Sequence, residues 1–115
     1  MQAADYALTM SEDDLQAGVE ELLTSLGYLW FHDEDSRRNE AGLPDLIAVH
    51  ERTGFLLIVE LKKENGKARP KQARWLAALR RRQRQAYLCC IWRPSHWRSG
   101  EIMRVLKQGA GVLNG

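Results

Sequence analysis

Residues 45–62 constrain the fold of this chain more than any other stretch. Asp45 to His50 and Phe55 to Lys62 are two short runs rich in valine, isoleucine and leucine, split by Glu51-Arg52-Thr53-Gly54. A brief glycine-containing connector between two such runs predicts a β-hairpin. Both runs are apolar on both alternating faces. A strand of that kind needs one layer above it and another below. The flanking segments can supply those layers. Ser11 reads as an N-cap, Asp13 and Asp14 sit in the first turn, and Leu15, Val19, Leu22, Leu23 and Leu26 recur at helical spacing up to Gly27. Tyr28 to His32 is β-like, and the polar stretch 33–42 reads as a surface loop. Pro70 opens a second helix running to about residue 84. Ala86 to Trp92 is a further strand, closed by Pro94. A last helix over roughly 100–108 is capped by Ser95 or Ser99. The fold class is therefore α/β, a three-layer core in which a mixed sheet is flanked by helices. With 115 residues there is room for one domain. It is placed at 11–108, between a flexible tail at 1–10 and another at 109–115.

Charge is distributed more tellingly than the net value of +2 suggests. The first forty residues carry mostly acids, whereas Lys62 to Arg84 holds ten lysines and arginines against one acid, Glu64. Such a block is either a solvated helix face or a phosphate-binding surface. No run is long and apolar enough to span a membrane, and the start of the chain does not read as a signal peptide. A cytoplasmic location is the resulting expectation. Cys89 and Cys90 are adjacent, so on a strand they face opposite ways and read as filler in a reducing compartment. His50 and His96 have no spacing to the cysteines that would make a zinc site. Trp92 is expected to pack. Trp97 is either exposed or buried in an interface. His32 reads as an ordinary strand-end residue rather than a ligand, with a role at the substrate as the alternative.

Chemistry concentrates at three positions. If Glu51 to Gly54 is a symmetric connection, each opposed pair of the hairpin sums to 105, and Asp45 lies across from Glu60. Opposed side chains have Cβ atoms roughly 4.5–5.5 Å apart. Two carboxylates that close repel, and a divalent cation between them reverses the repulsion. Lys62, two residues past Glu60, shares its face. Glu12, in the first turn of the first helix, is positioned to join the two acids. Gln72, in the first turn of the second, is positioned to bond Lys62 or a water.

Gly42-Leu43-Pro44-Asp45-Leu46-Ile47, Val59-Glu60-Leu61-Lys62, Gly66 and Gln72 together resemble the PD-(D/E)xK nuclease superfamily. The closer resemblance is to its virus-type replication-repair, or VRR-NUC, family. Ser11-Glu12, Gly27-Tyr28 and Trp92-Arg93-Pro94 extend the likeness over roughly 11–107. It implies a restriction-endonuclease-like core. Asp45, Glu60, the Leu61 carbonyl and Glu12 would face Mg²⁺ or Mn²⁺, Lys62 would position the attacking water, and Gln72 would support them. It also implies a homodimer acting on branched DNA such as Holliday junctions, in a bacterial or phage setting. Arg37, Arg38, Lys63, Lys67, Arg69, Lys71 and Arg74 are the expected backbone contacts. The family's usual glycine before the last strand is missing, with Arg82-Gln83-Arg84-Gln85 in its place.

Two other classes compete. A DNA-binding module with a decayed nuclease fold has no reason to oppose two carboxylates where DNA should lie. An enzyme acting on a small phosphate ester would need a closed pocket. The chain also lacks a glycine-rich phosphate loop, so no nucleotide cofactor is expected.

Overall fold

The computed structural model describes residues 10–33, 42–81 and 86–112. Helix α1 (Glu12–Ser25) leads into strand β1 (Tyr28–His32), followed by β2 (Leu46–His50) and β3 (Leu56–Leu61). Helix α2 (Pro70–Arg80), strand β4 (Tyr87–Trp92), the short α3 (Pro94–Arg98) and α4 (Glu101–Gly109) complete the order. Ser11 starts α1 as its pattern requires. Its hydroxyl accepts from the Asp14 N–H at 3.0 Å, and the Asp14 carboxylate accepts from the Ser11 N–H at 3.3 Å.

The sheet runs β1-β2-β3-β4. The first three strands are antiparallel, and β4 lies parallel to β3 across the α2 crossover. The sheet is thus mixed, with helices on both faces, as a three-layer restriction-endonuclease-like fold requires. On one face Leu46, Ala48, Leu57, Val59, Leu61 and Trp92 pack with Leu15, Val19 and Leu23 of α1 and with Ile102 and Leu106 of α4. Those helices bring their stripes of buried residues to one side of the sheet, so this is the main core. On the other face α2 lies over β3 and β4. The Tyr87 hydroxyl donates to the Leu79 carbonyl at 3.0 Å, and Cys89 is buried there. The cysteines are free, as their alternation implies.

Several boundaries differ from expectation. Met10, assigned to the tail, is 6% exposed and belongs to the core. Ala110, also assigned to a tail, is buried, because the hairpin connector grips the end of α4. Arg52 donates to the Ala110 carbonyl, and the Thr53 hydroxyl donates to the Gly109 carbonyl at 2.6 Å. Helix α2 ends at Arg80; residues 82–85, expected to continue it, lie outside the described residues. Pro94 both ends β4 and opens α3, a helix not expected from the sequence. The last helix is entered through Gly100, at φ 83°, rather than from a serine cap; the Ser99 hydroxyl accepts from the Glu101 N–H at 3.3 Å. Trp97 is half-buried over Gly18 of α1, where an added Cβ would lie 2.8 Å from its ring.

The expectation of cover on both faces holds only in part. Leu29, Phe31 and Ile47 share the face that α2 covers further along, yet they are 55%, 66% and 45% exposed. Helix α2 packs on β4 and meets β3 through Gln72, and no described helix covers the β1–β2 half of that face. No helix among the described residues is long and apolar enough to cross a membrane.

Ahead of β4, Ala86 adopts φ 66°. The left-handed region crowds a Cβ, so the turn that lacks glycine carries strain at this residue. Ala86→Gly is expected to raise stability by about 0.5–1 kcal/mol, measured as a higher urea midpoint with unchanged slope.

Candidate functional site

The hairpin register places the acids. Leu46 faces Val59, Ile47 faces Ile58, Ala48 faces Leu57 and Val49 faces Leu56, so each pair sums to 105 as anticipated. One step further, Asp45 meets Glu60. Each acid holds the other's strand: the Asp45 N–H donates to Glu60 Oε1 at 3.1 Å, and the Leu61 N–H donates to Asp45 Oδ1 at 3.2 Å.

Glu60 is 3% exposed. Its Oε2 accepts from Gln72 Nε2 at 2.6 Å and lies 3.3 Å from Lys62 Nζ. Gln72 is fixed from its other end as well, since its Oε1 accepts from the Arg69 N–H at 3.0 Å. One amide therefore caps α2 and orients the Glu60 carboxylate. This partner differs from the expected one, because Gln72 bonds the acid rather than Lys62.

Burial first, and the nearby Asp45 charge second, push Glu60 up to about 7 against the pull of Lys62. Asp45 is also raised, chiefly by burial, with the Leu61 N–H and His32 acting in the opposite sense. Two opposed carboxylates thus sit out of water with too little positive charge to hold both ionised. That donor set suits a hard divalent cation, which prefers oxygen ligands. Among the described residues no group of three or more histidine, cysteine, aspartate or glutamate side chains is set to hold a metal. Glu12 stays exposed in the first turn of α1. Its charge reaches Asp45 through space and raises it, but no bond draws it into the pair.

The basic residues Lys63, Lys67, Arg69, Lys71 and Arg74 lie on the loop after β3 and the first turns of α2, and all five are exposed. Arg37 and Arg38 lie outside the described residues.

A family model, the VRR-NUC domain, matches residues 7–90. The chain belongs to the VRR-NUC domain family. It is thereby part of the PD-(D/E)xK-like nuclease superfamily. A solved structure described as a VRR_NUC domain is 26% identical to the chain, covering 84% of it and 94% of its own length, with a TM-score of 0.59. Among the curated proteins none matches the chain.

Two residues of this VRR-NUC domain stand at the site beyond those the sequence reading assigned to it. The Arg93 guanidinium donates to the carbonyls of Lys63 at 3.0 Å, Glu64 at 3.3 Å and Gly66, and the Ser95 N–H donates to Glu64 Oε2 at 3.0 Å. Together they tie down the loop that leaves Lys62. A lone arginine after a strand looks like any solvated one until the loop is folded onto it. His32 is the other; its Nε2 lies 3.4 Å from Asp45 Oδ2. The only signal for it was a polar residue closing an apolar strand.

Gly42 joins the two halves of the site. At φ 74° it has no room for a side chain: a Cβ would lie 2.8 Å from the Lys71 backbone carbon and 3.0 Å from the Gln72 nitrogen. The loop entering Asp45 therefore rests directly on the first turn of α2. Gly42→Ala is expected to cost about 1–3 kcal/mol, read by urea unfolding, and to move Gln72 away from Glu60.

Proposed function

We propose that the protein is a metal-dependent deoxyribonuclease that hydrolyses phosphodiester bonds, with branched DNA such as a Holliday junction as its preferred substrate. The observation that carries this reading is the opposed Asp45–Glu60 pair with Lys62 Nζ 3.3 Å from Glu60. Asp45, Glu60 and the Leu61 carbonyl are the groups that would hold Mg²⁺ or Mn²⁺, with Glu12 as an outer candidate. A bound divalent ion supplies an acidified water and charge stabilisation at the phosphate. Lys62 orients the attacking water and offsets charge on the scissile phosphate. Gln72 holds the Glu60 carboxylate in place. In-line attack releases the 3′ oxygen and leaves a 5′ phosphate. The bases from Lys63 to Arg74, with Arg37 and Arg38, hold the DNA backbone without reading sequence. The open apolar stretch at Leu29, Phe31 and Ile47 supports a homodimer, which would present two cutting sites to one junction.

The test is cleavage of a labelled four-way junction and a linear duplex of matched sequence, with Mg²⁺, Mn²⁺ or EDTA. Paired cuts confined to the junction and lost in EDTA are the expected outcome. Equal cutting of the duplex removes the preference for branches. Tight salt-sensitive binding without cutting, under every metal condition, points instead to an inactive nuclease-fold binding module.

A further inference from the structure

We propose that His32 is a positioning residue for the acid pair. Its Nε2–H orients the Asp45 carboxylate, and helix α1 selects that tautomer through Gln16. This inference rests on the nuclease reading of the site and extends it to a residue on another strand, buttressed by a helix.

His32 closes β1 opposite Leu46, the residue next to Asp45 in the chain, and its ring reaches the Asp45 carboxylate from the side of α1. The side chain is 7% exposed, and Nε2 has no hydrogen-bond partner although it is fully buried. Buried polar atoms in that state are rare and call for a reason. The nearest charged group is Asp45 Oδ2, at 3.4 Å.

The other side of the ring shows which nitrogen carries the proton. Gln16 Nε2 donates to Glu20 Oε2 at 3.0 Å and lies 3.2 Å from His32 Nδ1, nearer than Glu20 Oε2 itself, which is 4.0 Å from that nitrogen. Glu20 as a carboxylate only accepts, which turns the NH₂ end of the Gln16 amide toward it and toward the ring. An NH₂ group has nothing but donors to offer, so Nδ1 accepts. In the neutral ring the proton then sits on Nε2, facing Asp45. Asp45 Oδ1 is already held by the Leu61 N–H. With His32 on Oδ2, each oxygen of the carboxylate has a donor, one from the β3 backbone and one from β1. A gap of 3.4 Å is long for such a bond. Donors behind a liganding group fix its orientation and tune its affinity.

The test has two arms. In the first, ¹⁵N NMR of the metal-free full chain at pH 8 reports the His32 tautomer directly. An Nε2–H ring with an unprotonated Nδ1 is expected, and an Nδ1–H ring would overturn the proposal. In the second, Mn²⁺ is titrated calorimetrically into wild type, His32→Ala, His32→Gln and Asp45→Asn, with single-turnover cleavage measured alongside. His32→Ala is expected to weaken Mn²⁺ binding by about ten- to a hundredfold and to slow cleavage with DNA affinity unchanged. His32→Gln, which restores an N–H donor, is expected to recover most of both. Wild-type Mn²⁺ affinity in His32→Ala, or equal losses in the alanine and glutamine variants, would overturn it. Wild type and Asp45→Asn separate the two levels: a wild type that cuts with no divalent ion overturns the nuclease reading, and an Asp45→Asn variant that keeps both Mn²⁺ binding and cleavage overturns the acid pair as its centre. Should His32→Ala not fold, the tautomer and His32→Gln still decide.

Discussion

Lys62→Ala is expected to slow single-turnover DNA cleavage by roughly 10²–10³-fold while leaving DNA affinity nearly unchanged. Lys62 differs from the bases around it in where its charge lies. Its side chain is 15% exposed and its Nζ is 3.3 Å from the Glu60 carboxylate. A charge held in a site of low dielectric acts strongly on the reacting phosphate. Lys71 and Arg74 stand in solvent, where salt screens them. Their loss should show the opposite pattern. Lys71→Ala or Arg74→Ala is expected to weaken binding and lower the salt slope by about one, with the cleavage step unchanged. Rates of the Lys62 variant at saturating DNA, set beside affinities for uncleaved DNA, check the division. A Lys62→Ala variant that loses only affinity would place this lysine among the backbone contacts.

The second large effect is on stability, and its sign runs against the usual behaviour of a carboxylate. Glu60 is raised from 4.5 to about 7 in the fold. Below 4.5 the folded and unfolded chains both hold this proton, and Glu60 contributes no difference. Between 4.5 and 7 the unfolded chain has released the proton while the folded chain keeps it. Stability therefore falls as pH rises through that window. The metal-free protein is expected to be about 3 kcal/mol less stable at pH 8 than at pH 4.5 on account of Glu60 alone. Asp45, shifted in the same direction, adds to the loss. Glu60→Gln should flatten the profile, and its advantage over wild type should appear at pH 8. Added Mn²⁺ should reverse the trend, since an ion that binds the ionised pair stabilises the fold by mass action. Urea midpoints at pH 5 and 8, with EDTA and with Mn²⁺, test this. A metal-free wild type that gains stability across the window would contradict the buried, opposed pair.

Local pattern made much of this legible from the residues alone. Ser11 with Asp14 marked the start of α1, and Pro70 marked the start of α2. The four-residue connector between the apolar runs set a register in which Asp45 and Glu60 oppose, because strand geometry leaves a symmetric hairpin little freedom. The features that stayed hidden depend on contacts between distant segments. Met10 and Ala110 are isolated apolar residues beside loose-looking ends, and their burial comes from how α1 and the hairpin pack. Arg93 and His32 act on partners that no spacing rule connects to them. Pro94 carries two meanings, strand end and helix start, and the balance between them is set by the packing of residues 95–98 in space. Both faces of the hairpin are apolar, yet the pattern does not show that α2 is long enough to cover only half of one face.

The most direct test of the central claim is single-turnover cleavage of labelled DNA by wild type and Asp45→Asn, in Mg²⁺, in Mn²⁺ and in EDTA, with binding measured on the same preparations. Cutting by the wild type only with a divalent ion, and an Asp45→Asn protein that binds DNA without cutting it, is the expected result. Cleavage that persists in EDTA, or an Asp45→Asn variant as fast as wild type, would contradict the assignment of the acid pair as the catalytic centre.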